Sequence, residues 1–309
     1  GSVARGAGHE EYIIFARFNT AQKGTAPMKI AVIPNLDKRD AAEYTARIVA
    51  LLRQNGAEVL MHASLAERYK GAVPCASHED MAARCDIVIA VGGDGTIIHT
   101  AKHASRAEKP ILGVNLGRLG FLAGVERDEL YLLRRLFSGG YTVRRRMMLE
   151  ITVNGDEGEH TYCALNDAVV SGAQSKIFDF GLSVDGSEMY RFRADGLIFA
   201  TPTGSTAYSL SAGGPVLDPE MDGIVFTPIC PHSLFNRSTV FSADKRLTVS
   251  ADSEYRGGVY LTVDGDDPIR IARSDTISVR RSARCTSLIK MDDRNFYDIV
   301  NRKILHSGS

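Results

Sequence analysis

The chain has 309 residues, of which 44% are apolar and 24% are charged, as is typical of a soluble globular protein with one large or two ordinary domains. Its 37 basic and 37 acidic residues give a formal net charge of zero, so the overall charge indicates neither nucleic acid nor an acidic membrane as a partner. The five cysteines form no CxxC pair, and no apolar run approaches the roughly 20 residues that span a bilayer. We therefore expect a cytoplasmic protein without a disulfide framework or a zinc site.

The first half of the chain alternates predicted strands and helices. Residues 1–27 lack the hydrophobic region of a signal peptide, and we expect them to be a poorly ordered leader segment. Four short apolar runs predict buried strands at residues 29–34, 57–61, 86–91 and 110–114. Helical spacing predicts helices at 39–55 and 96–106. The alternation predicts a doubly wound parallel α/β domain over residues 28–143.

From residue 144 to residue 289 the pattern predicts a mainly antiparallel β-rich domain. Residues 148–153 and a second run ending at Val170 are typical of a hairpin, with Asn154-Gly155 as its two-residue turn. Further short strands are predicted at 247–250, 258–263, 269–272 and 276–280. Six of the ten prolines fall between residues 202 and 268, which favours irregular loops there. Residues 296–305 predict a helix, and we expect 290–309 to pack back on the first domain.

A glycine-rich loop, Gly92-Gly93-Asp94-Gly95-Thr96, follows the third predicted strand and precedes a helix. Glycines let a ligand lie against bare backbone, and amides at a helix N-terminus form a cradle suited to phosphate. The loop contains neither GxxxxGK[ST] nor GxGxxG, which disfavours a Walker-type site and a hydride-transfer Rossmann site. A carboxylate in a phosphate cradle has two plausible roles, to take a proton from an attacking hydroxyl or to hold Mg²⁺. Both roles indicate phosphoryl transfer.

Two segments of the second half predict the binding of the acceptor. Asn166 can both donate and accept hydrogen bonds, while Asp167 beside it can accept them from ribose hydroxyls. The run 193–215 is rich in small hydroxyl residues, which recognise sugars and amides without adding charge. Within it, Tyr208 offers an aromatic face and Arg193 a cation for a phosphate group.

These residues together resemble the NAD kinase family. GGDGT alone is also similar to a motif of diacylglycerol and sphingosine kinases and, with a serine, of 6-phosphofructokinases. The more specific blocks follow one another in the order of the NAD kinase family: 92–96, Asn115–Leu122, Asn166-Asp167, Asp195–Pro215, Thr227–Leu234 and Val263–Gly265. The resemblance implies that the chain phosphorylates the 2′-hydroxyl of the adenosine ribose of NAD, with ATP as donor.

The resemblance also implies roles for individual residues. Asp94 would be the general base, and Asp167 stands where many members of the family have glutamate. Residues expected to bind NAD are Gly95, Phe121, Asn166, Asp167, Asp195, Thr203, Thr206, Ala207, Tyr208, Ser211, His232, Asn236 and Asp264. Residues expected to bind the phosphates of ATP are Gly92, Gly93, Gly95, Thr96, Arg118 and Arg193. We expect Mg²⁺ to be held mainly by ATP, with Asp94 as its possible protein ligand and no dedicated metal site, in a homodimer or homotetramer.

Two other features have simpler interpretations. His99 and His103 lie four residues apart on a predicted helix, but without a nearby third ligand a polar helix face is favoured over a metal site. The run 144–146 of three arginines is interpreted as a solvated or interface charge run.

Two alternative functions remain. A lipid kinase would need an apolar slot for an acyl chain, whereas the predicted acceptor loop is full of threonine, serine and tyrosine. A non-catalytic NAD(P)-sensing module could dispense with Asp94, whereas here the whole cradle is present.

Overall fold

The structure is a computed structural model that describes residues 26–156, 158–173, 177–232, 237–251, 258–272, 274–291 and 294–305. Most of the expected leader segment, residues 1–25, and the predicted site residue Asn236 lie outside the described residues. Among the helices of the described ranges, none is both long and apolar enough to cross a membrane.

The first half folds as the predicted α/β unit. Its helices and strands are β1 (Lys29–Pro34), α1 (Ala41–Gln54), β2 (Glu58–His62), α2 (Ala63–Ala66), β3 (Val73–Cys75), α3 (His78–Arg84), β4 (Ile87–Gly92), α4 (Asp94–Ala104), β5 (Ile111–Asn115), β6 (Val125–Glu126) and α5 (Arg135–Ser138). Strands β5, β4, β1, β2 and β3 are neighbours in that order and pair in parallel. The elements that the sequence did not predict (α2, β3, α3, β6 and α5) are only two to seven residues long.

Burial explains why the apolar runs become central strands. All six residues of β4 are buried, as are the four middle residues of β1, because helices cover both faces of the sheet. On α1, Ile48, Val49 and Leu52 form the buried stripe that packs against the sheet. The strands therefore present their carboxyl ends, where the following loops begin, at one edge.

The second half is built almost entirely from strands. They are β7 (Thr142–Gly155), β8 (Gly158–Ala164), β9 (Asp167–Gly172), β10 (Phe178–Val184), β11 (Ser187–Ala194), β12 (Gly196–Ala200), β13 (Gly223–Ile229), β14 (Thr239–Ser242), β15 (Leu247–Ala251), β16 (Val259–Val263), β17 (Ile269–Ile271) and β18 (Thr276–Lys290), with the short helix α6 (Tyr208–Ser211) and the C-terminal helix α7 (Phe296–Val300). The predicted antiparallel pairing is confirmed throughout this half.

Two sheets organise these strands. A six-stranded antiparallel sheet has the order β14-β13-β12-β9-β16-β17. The other strands extend the sheet of the first half, because β18 pairs in parallel with β5 at Leu288 and Ile111. The two sheets share a core in which Phe178, Phe180 and Phe199 are buried. One sheet therefore runs from the first half into the second.

Several boundaries differ from prediction. The turn between β7 and β8 follows Gly155, because Gly155 pairs with Gly158, so Asn154-Gly155 is not the turn. The run ending at Val170 is split, since residues from Asp167 onward belong to the other sheet. Strand β18 continues ten residues beyond the predicted end at 280, because it pairs along the whole of β7 before it reaches β5.

Two further predictions are corrected in the proline-rich and C-terminal regions. The proline-rich region contains the buried strand β13. Proline has no N–H to donate, but Pro228 lies beyond the residues of β13 that pair with β14, so the pairing with β14 does not need that donor. The predicted C-terminal helix is α-helical only to Val300 and continues as a π-helical turn over 301–305. In this segment the ring of Phe296 contacts that of Phe121, and Arg294 donates a hydrogen bond to Glu129. Both partners lie in the first half.

We expect Gly124→Ala to destabilise the protein by about 1–3 kcal/mol, because an added Cβ would collide with the backbone oxygen of Ile289 and lie 2.9 Å from Leu112 Cδ1. Gly124 is buried where β18 meets the first half, so the backbone cannot move aside cheaply. Gly140→Ala is the matched control, since the atom nearest to its added Cβ lies at 3.5 Å. Equal free energies of unfolding in urea for the two variants would contradict this packing constraint.

Candidate functional site

A cavity of about 500 Å³ opens on the six-stranded sheet and collects six of the predicted binding residues. These residues are Asn166, Asp167, Asp195, Ala207, Tyr208 and Asp264. The sequence reasoning missed the other lining residues, which are Val169, Ser171, Gly172, Ile229, Thr262 and Gly265. Tyr208 is 47% exposed at the cavity, whereas Asp167 is only 6% exposed.

Strand β9 explains part of this lining. Successive side chains of a strand point to opposite faces, so Asp167, Val169 and Ser171 share one face. Thr262 of β16 pairs with Val169 of β9 and so lies on the same face, and Asp264 follows the end of β16. The alternation rule, applied outward from Asp167, could have found Val169 and Ser171.

The carboxylate of Asp264 fixes the chain around Asn166. Its Oδ2 accepts a hydrogen bond from the backbone N–H of Leu165 at 2.8 Å, and its Oδ1 accepts from Asn166 at 2.8 Å and from Asp167 at 3.1 Å. In return, the N–H of Asp264 donates to the carbonyl of Asp167 at 2.9 Å. Asp264 has a φ of 51°, in the left-handed region that side-chain-bearing residues rarely adopt. Asp264 therefore positions the binding segment as well as lining the cavity.

Asp167 and Asp264 place two carboxyl groups in one cavity. Burial, and secondly the charge of Asp264, raise the pKa of Asp167 to about 7. Burial also raises the pKa of Asp264, but three backbone N–H groups stabilise its ionised form. Asp264 therefore carries the charge and Asp167 holds a proton at mildly acid pH. In its protonated form Asp167 can donate as well as accept a hydrogen bond.

The hydroxyl-rich loop after β12 is used largely to build the site. Thr201 Oγ1 donates to the carbonyl of Leu165 at 2.6 Å, and Ser205 Oγ donates to the carbonyl of Pro202 at 2.7 Å. A Cβ added at Gly204 would overlap the carbonyl of Asn166, so only glycine allows the loop this close. Internal hydrogen bonds thus occupy several hydroxyls that the sequence reasoning considered available for ligands.

Asp94 lies at the start of α4 and faces the loop after β5. Its Oδ2 accepts from the N–H of Phe121 at 2.9 Å, its Oδ1 accepts from Leu122 at 3.2 Å, and Lys303 Nζ lies 3.7 Å from Oδ2. A Cβ at Gly120 would overlap Oδ1, which explains the glycine there. Asp94 does not line the first cavity. Each carboxylate oxygen can accept a further hydrogen bond, so the group keeps capacity for a ligand hydroxyl.

The glycine-rich loop borders a second cavity of about 500 Å³. Gly95 and Thr96 line it together with Asn35, Asp37 and three histidines. A Cβ at Gly92 would overlap Thr96 Oγ1, so the tight turn into α4 requires glycine there. Phe121 lies outside both cavities, with its ring 4.2 Å from Lys303 Nζ.

The remaining predicted residues among those described line neither cavity. Arg193 pairs with Asp179 at 3.2 Å, and its carbonyl accepts from the N–H of the exposed His232. Thr203 Oγ1 is buried without a hydrogen-bond partner among the described residues. The other predicted residues outside the lining are Thr206, Ser211 and the exposed Arg118.

The structure changes the basis of two interpretations of the sequence. Alternate residues of β7 face inward, so Arg146 is only 7% exposed, and it lies 3.7 Å from Glu220. The run 144–146 is therefore not simply a solvated or interface charge run. His99 and His103 do have a nearby third ligand, since α3 brings His78 beside them. The polar helix face was favoured because no third ligand was expected nearby, and that reason no longer holds.

Comparisons with known proteins agree along the chain. The family model of the ATP-NAD kinase N-terminal domain matches residues 30–141, and that of the ATP-NAD kinase C-terminal domain matches residues 165–291. An NAD kinase from Symbiobacterium thermophilum is 41% identical over 280 residues, which cover 89% of this chain and 98% of the relative. An NAD kinase from Natranaerobius thermophilus is 37% identical over 278 residues, covering 89% and 97%.

Solved structures show the same fold. A yeast NADH kinase in complex with NADH superposes with a TM-score of 0.83 at 24% identity, covering 93% of this chain and 89% of that one. An NAD kinase from Archaeoglobus fulgidus in complex with ATP superposes with a TM-score of 0.71 at 25% identity, covering 91% and 100%.

We expect Asp167→Asn to reduce the loss of stability that accompanies a rise in pH from 4 to 8. The pKa of Asp167 rises on folding to about 7. The free energy of unfolding of the wild type should therefore fall between pH 4 and pH 8, by at most about 4 kcal/mol from this group. An asparagine mimics the protonated side chain and removes this pH-dependent component. The free energy of unfolding of the variant should therefore increase relative to that of the wild type as pH rises. Urea unfolding of both proteins at several pH values measures this difference in the free energy of unfolding.

Asp267→Asn is the control for this experiment, because it removes one carboxylate from the exposed turn beside the cavity. If both variants change the pH dependence equally, the burial of Asp167 is not its cause.

Proposed function

The chain belongs to the ATP-NAD kinase family, and on this premise we propose that it transfers the γ-phosphoryl group of ATP to the 2′-hydroxyl of the adenosine ribose of NAD, giving NADP. The observation that carries the proposal is the gathering of Asn166, Asp167, Asp195, Tyr208 and Asp264 in one cavity, in a chain that also carries a glycine-rich cradle at the start of α4.

The cavity suits a nucleoside without adding positive charge. Asn166 offers both a donor and an acceptor to a base, and Asp167 and Asp195 offer carboxyl oxygens to ribose hydroxyls. The exposed ring of Tyr208 gives a surface for stacking. Because Asp264 binds three consecutive amides, these groups are held in place before the ligand arrives.

The cradle suits the triphosphate. Helix α4 is eleven residues long, and its N-terminus, the positive end of the helix dipole, begins at the Gly92-Gly93 turn beside the second cavity. We assign Gly92, Gly93, Gly95 and Thr96 to the phosphates. Arg118 and Arg193 are further cations for charge on the moving group, and Arg193 would have to exchange its contact with Asp179 for a phosphate oxygen.

We assign the general base to Asp94. Phosphoryl transfer depends mainly on positioning and charge neutralisation, so a single carboxylate beside the cradle suffices to assist removal of the ribose proton. The amides of Phe121 and Leu122 and the nearby Lys303 orient this carboxylate. In-line attack of the 2′-oxygen would then break the bond between the γ-phosphorus and the bridging oxygen, leaving ADP.

Mg²⁺ fits this donor set as a companion of ATP. It prefers oxygen ligands and usually binds through one or two carboxylates together with substrate phosphates. Asp94 is the carboxylate in the cradle that could contact it, and the ion would neutralise charge on the phosphates. We further propose a cytoplasmic homodimer or homotetramer. The free state of all five cysteines supports the cytoplasmic location. The edge position of β14, where Val240 is 47% exposed, supports association with a second copy of the chain.

The purified chain should convert NAD to NADP with MgATP and should not phosphorylate diacylglycerol in detergent micelles. The first cavity presents carboxyl, amide and hydroxyl groups rather than an apolar slot for an acyl chain. An NADP-specific dehydrogenase assay and radiolabelled lipid extraction measure the two reactions. Tight NAD binding without turnover would favour a sensing module, and lipid turnover would favour the lipid kinase.

Asp94→Asn should lower kcat by about 10²–10⁴-fold with a smaller effect on KM for NAD, since proton transfer is lost while most binding contacts remain. Circular dichroism should show an unchanged fold, because asparagine keeps one acceptor oxygen for the amides of Phe121 and Leu122. Asp128→Asn, at an exposed position of the same half, is the control. Near-normal kcat in Asp94→Asn would rule out the general-base role.

A further inference from the structure

Four of the eight histidines of the chain gather at the carboxyl edge of the parallel strands, next to the cradle. His62 ends β2, His78 begins α3, and His99 and His103 lie on α4. Because each of these segments leaves the same edge of the sheet, side chains distant in sequence come together there. Nothing in the proposed phosphoryl transfer requires this cluster.

The geometry within the cluster is that of a nearly assembled metal site. One ring nitrogen from each of His78, His99 and His103 lies within 4.8 Å of the other two. His99 and His103 are four residues apart on α4, so they project from one face of the helix. Tetrahedral zinc needs nitrogen separations of roughly 3.3 Å, so the ring nitrogens must approach by at most roughly 1.5 Å, which side-chain rotation can supply, above all at the exposed His99.

Burial and neighbouring charges act on two of the three imidazoles. Burial, and secondly the neighbouring histidines, lower the pKa of His78. Burial, and secondly Lys102, lower the pKa of His99, against the opposing charge of Asp266. Three imidazoles packed with ring centroids 5.4–6.0 Å apart would repel one another if protonated.

A carboxylate completes the arrangement. Glu79 Oε1 lies 2.7 Å from His103 Nδ1. A carboxylate beside a ligating histidine orients the ring and raises its basicity, and this pairing recurs at metal sites. His62 lies behind His78 at a centroid distance of 5.9 Å, and its Nδ1 contacts Ser64 Oγ at 2.7 Å.

We propose that His78, His99 and His103 bind a divalent transition-metal ion of the zinc class, with Glu79 or water in the fourth position. Three imidazoles favour zinc, cobalt, nickel or copper over Mg²⁺, which prefers oxygen. The ion would join the start of α3 to the middle of α4. Since His78 and His99 also line the cavity of Gly95 and Thr96, it would stiffen the wall of the phosphate cradle.

The test is metal binding by the whole chain after dialysis against a chelator, with Co²⁺ as the spectroscopic probe and Zn²⁺ as the competitor. We expect one Co²⁺ per chain with the visible bands of a tetrahedral site, displaced by Zn²⁺. X-ray absorption of the zinc form should show three imidazole nitrogens at about 2.0 Å. Zn²⁺ should also raise the unfolding temperature.

His99→Ala is the principal variant because the side chain is exposed and its loss should leave the fold intact. It should weaken metal binding by at least about tenfold, the lower limit for losing even an orienting partner of a ligand. His78→Gln should do the same, whereas His160→Ala, an exposed histidine on β8, is the control and should bind as the wild type does.

Three results would overturn the proposal. The first is a metal affinity that is unchanged in both His99→Ala and His78→Gln. The second is an X-ray absorption spectrum of the zinc form that is dominated by oxygen ligands. The third is a visible Co²⁺ spectrum of the wild type that is typical of octahedral coordination. Because every readout is independent of NADP formation, failure here leaves the proposed kinase activity untouched, and the reverse also holds.

Discussion

The binding cavity depends on the hydrogen bonds between one carboxylate and three consecutive amides. Asp264 receives the N–H groups of Leu165, Asn166 and Asp167, and returns one bond through its own N–H. Without these bonds, the irregular step between β8 and β9 would leave buried amides unpaired, at a cost of about 1–3 kcal/mol each. The left-handed backbone at Asp264 is strained, and these bonds stabilise it.

The same interaction determines the charge of the cavity. Burial is the larger cause of the raised pKa of Asp167, and the charge of Asp264 adds to it, so Asp167 keeps its proton to about neutral pH. The site thus presents an ionised group that is turned toward the backbone and a neutral group that can both donate and accept. A ribose hydroxyl, which is also both donor and acceptor, is a suitable partner for such a group.

How far the sequence predicts the structure depends on whether a feature is local. The strands of the first half were found because burial on both faces leaves continuous apolar runs, and the glycine-rich loop was found because its spacing is local. The continuation of the sheet through β18 could not be found, since it depends on pairing between Leu288 and Ile111. Likewise, His78 lies 21 residues before His99, and only the parallel order of the strands brings the two together. The burial of Arg146 similarly follows from tertiary packing.

Helix α4 connects the two ends of the proposed reaction. Its first residue is Asp94, and eight residues later Lys102 forms an ion pair with Asp266, two residues beyond Asp264. Eight residues of α-helix span about 12 Å, so the cradle and the turn that positions the binding segment are held at a fixed separation. A positive side chain at this end also favours the ionised form of Asp264. One rigid element thus holds the loop proposed to bind phosphate at a fixed distance from the groups proposed to bind NAD, and phosphoryl transfer depends on such positioning.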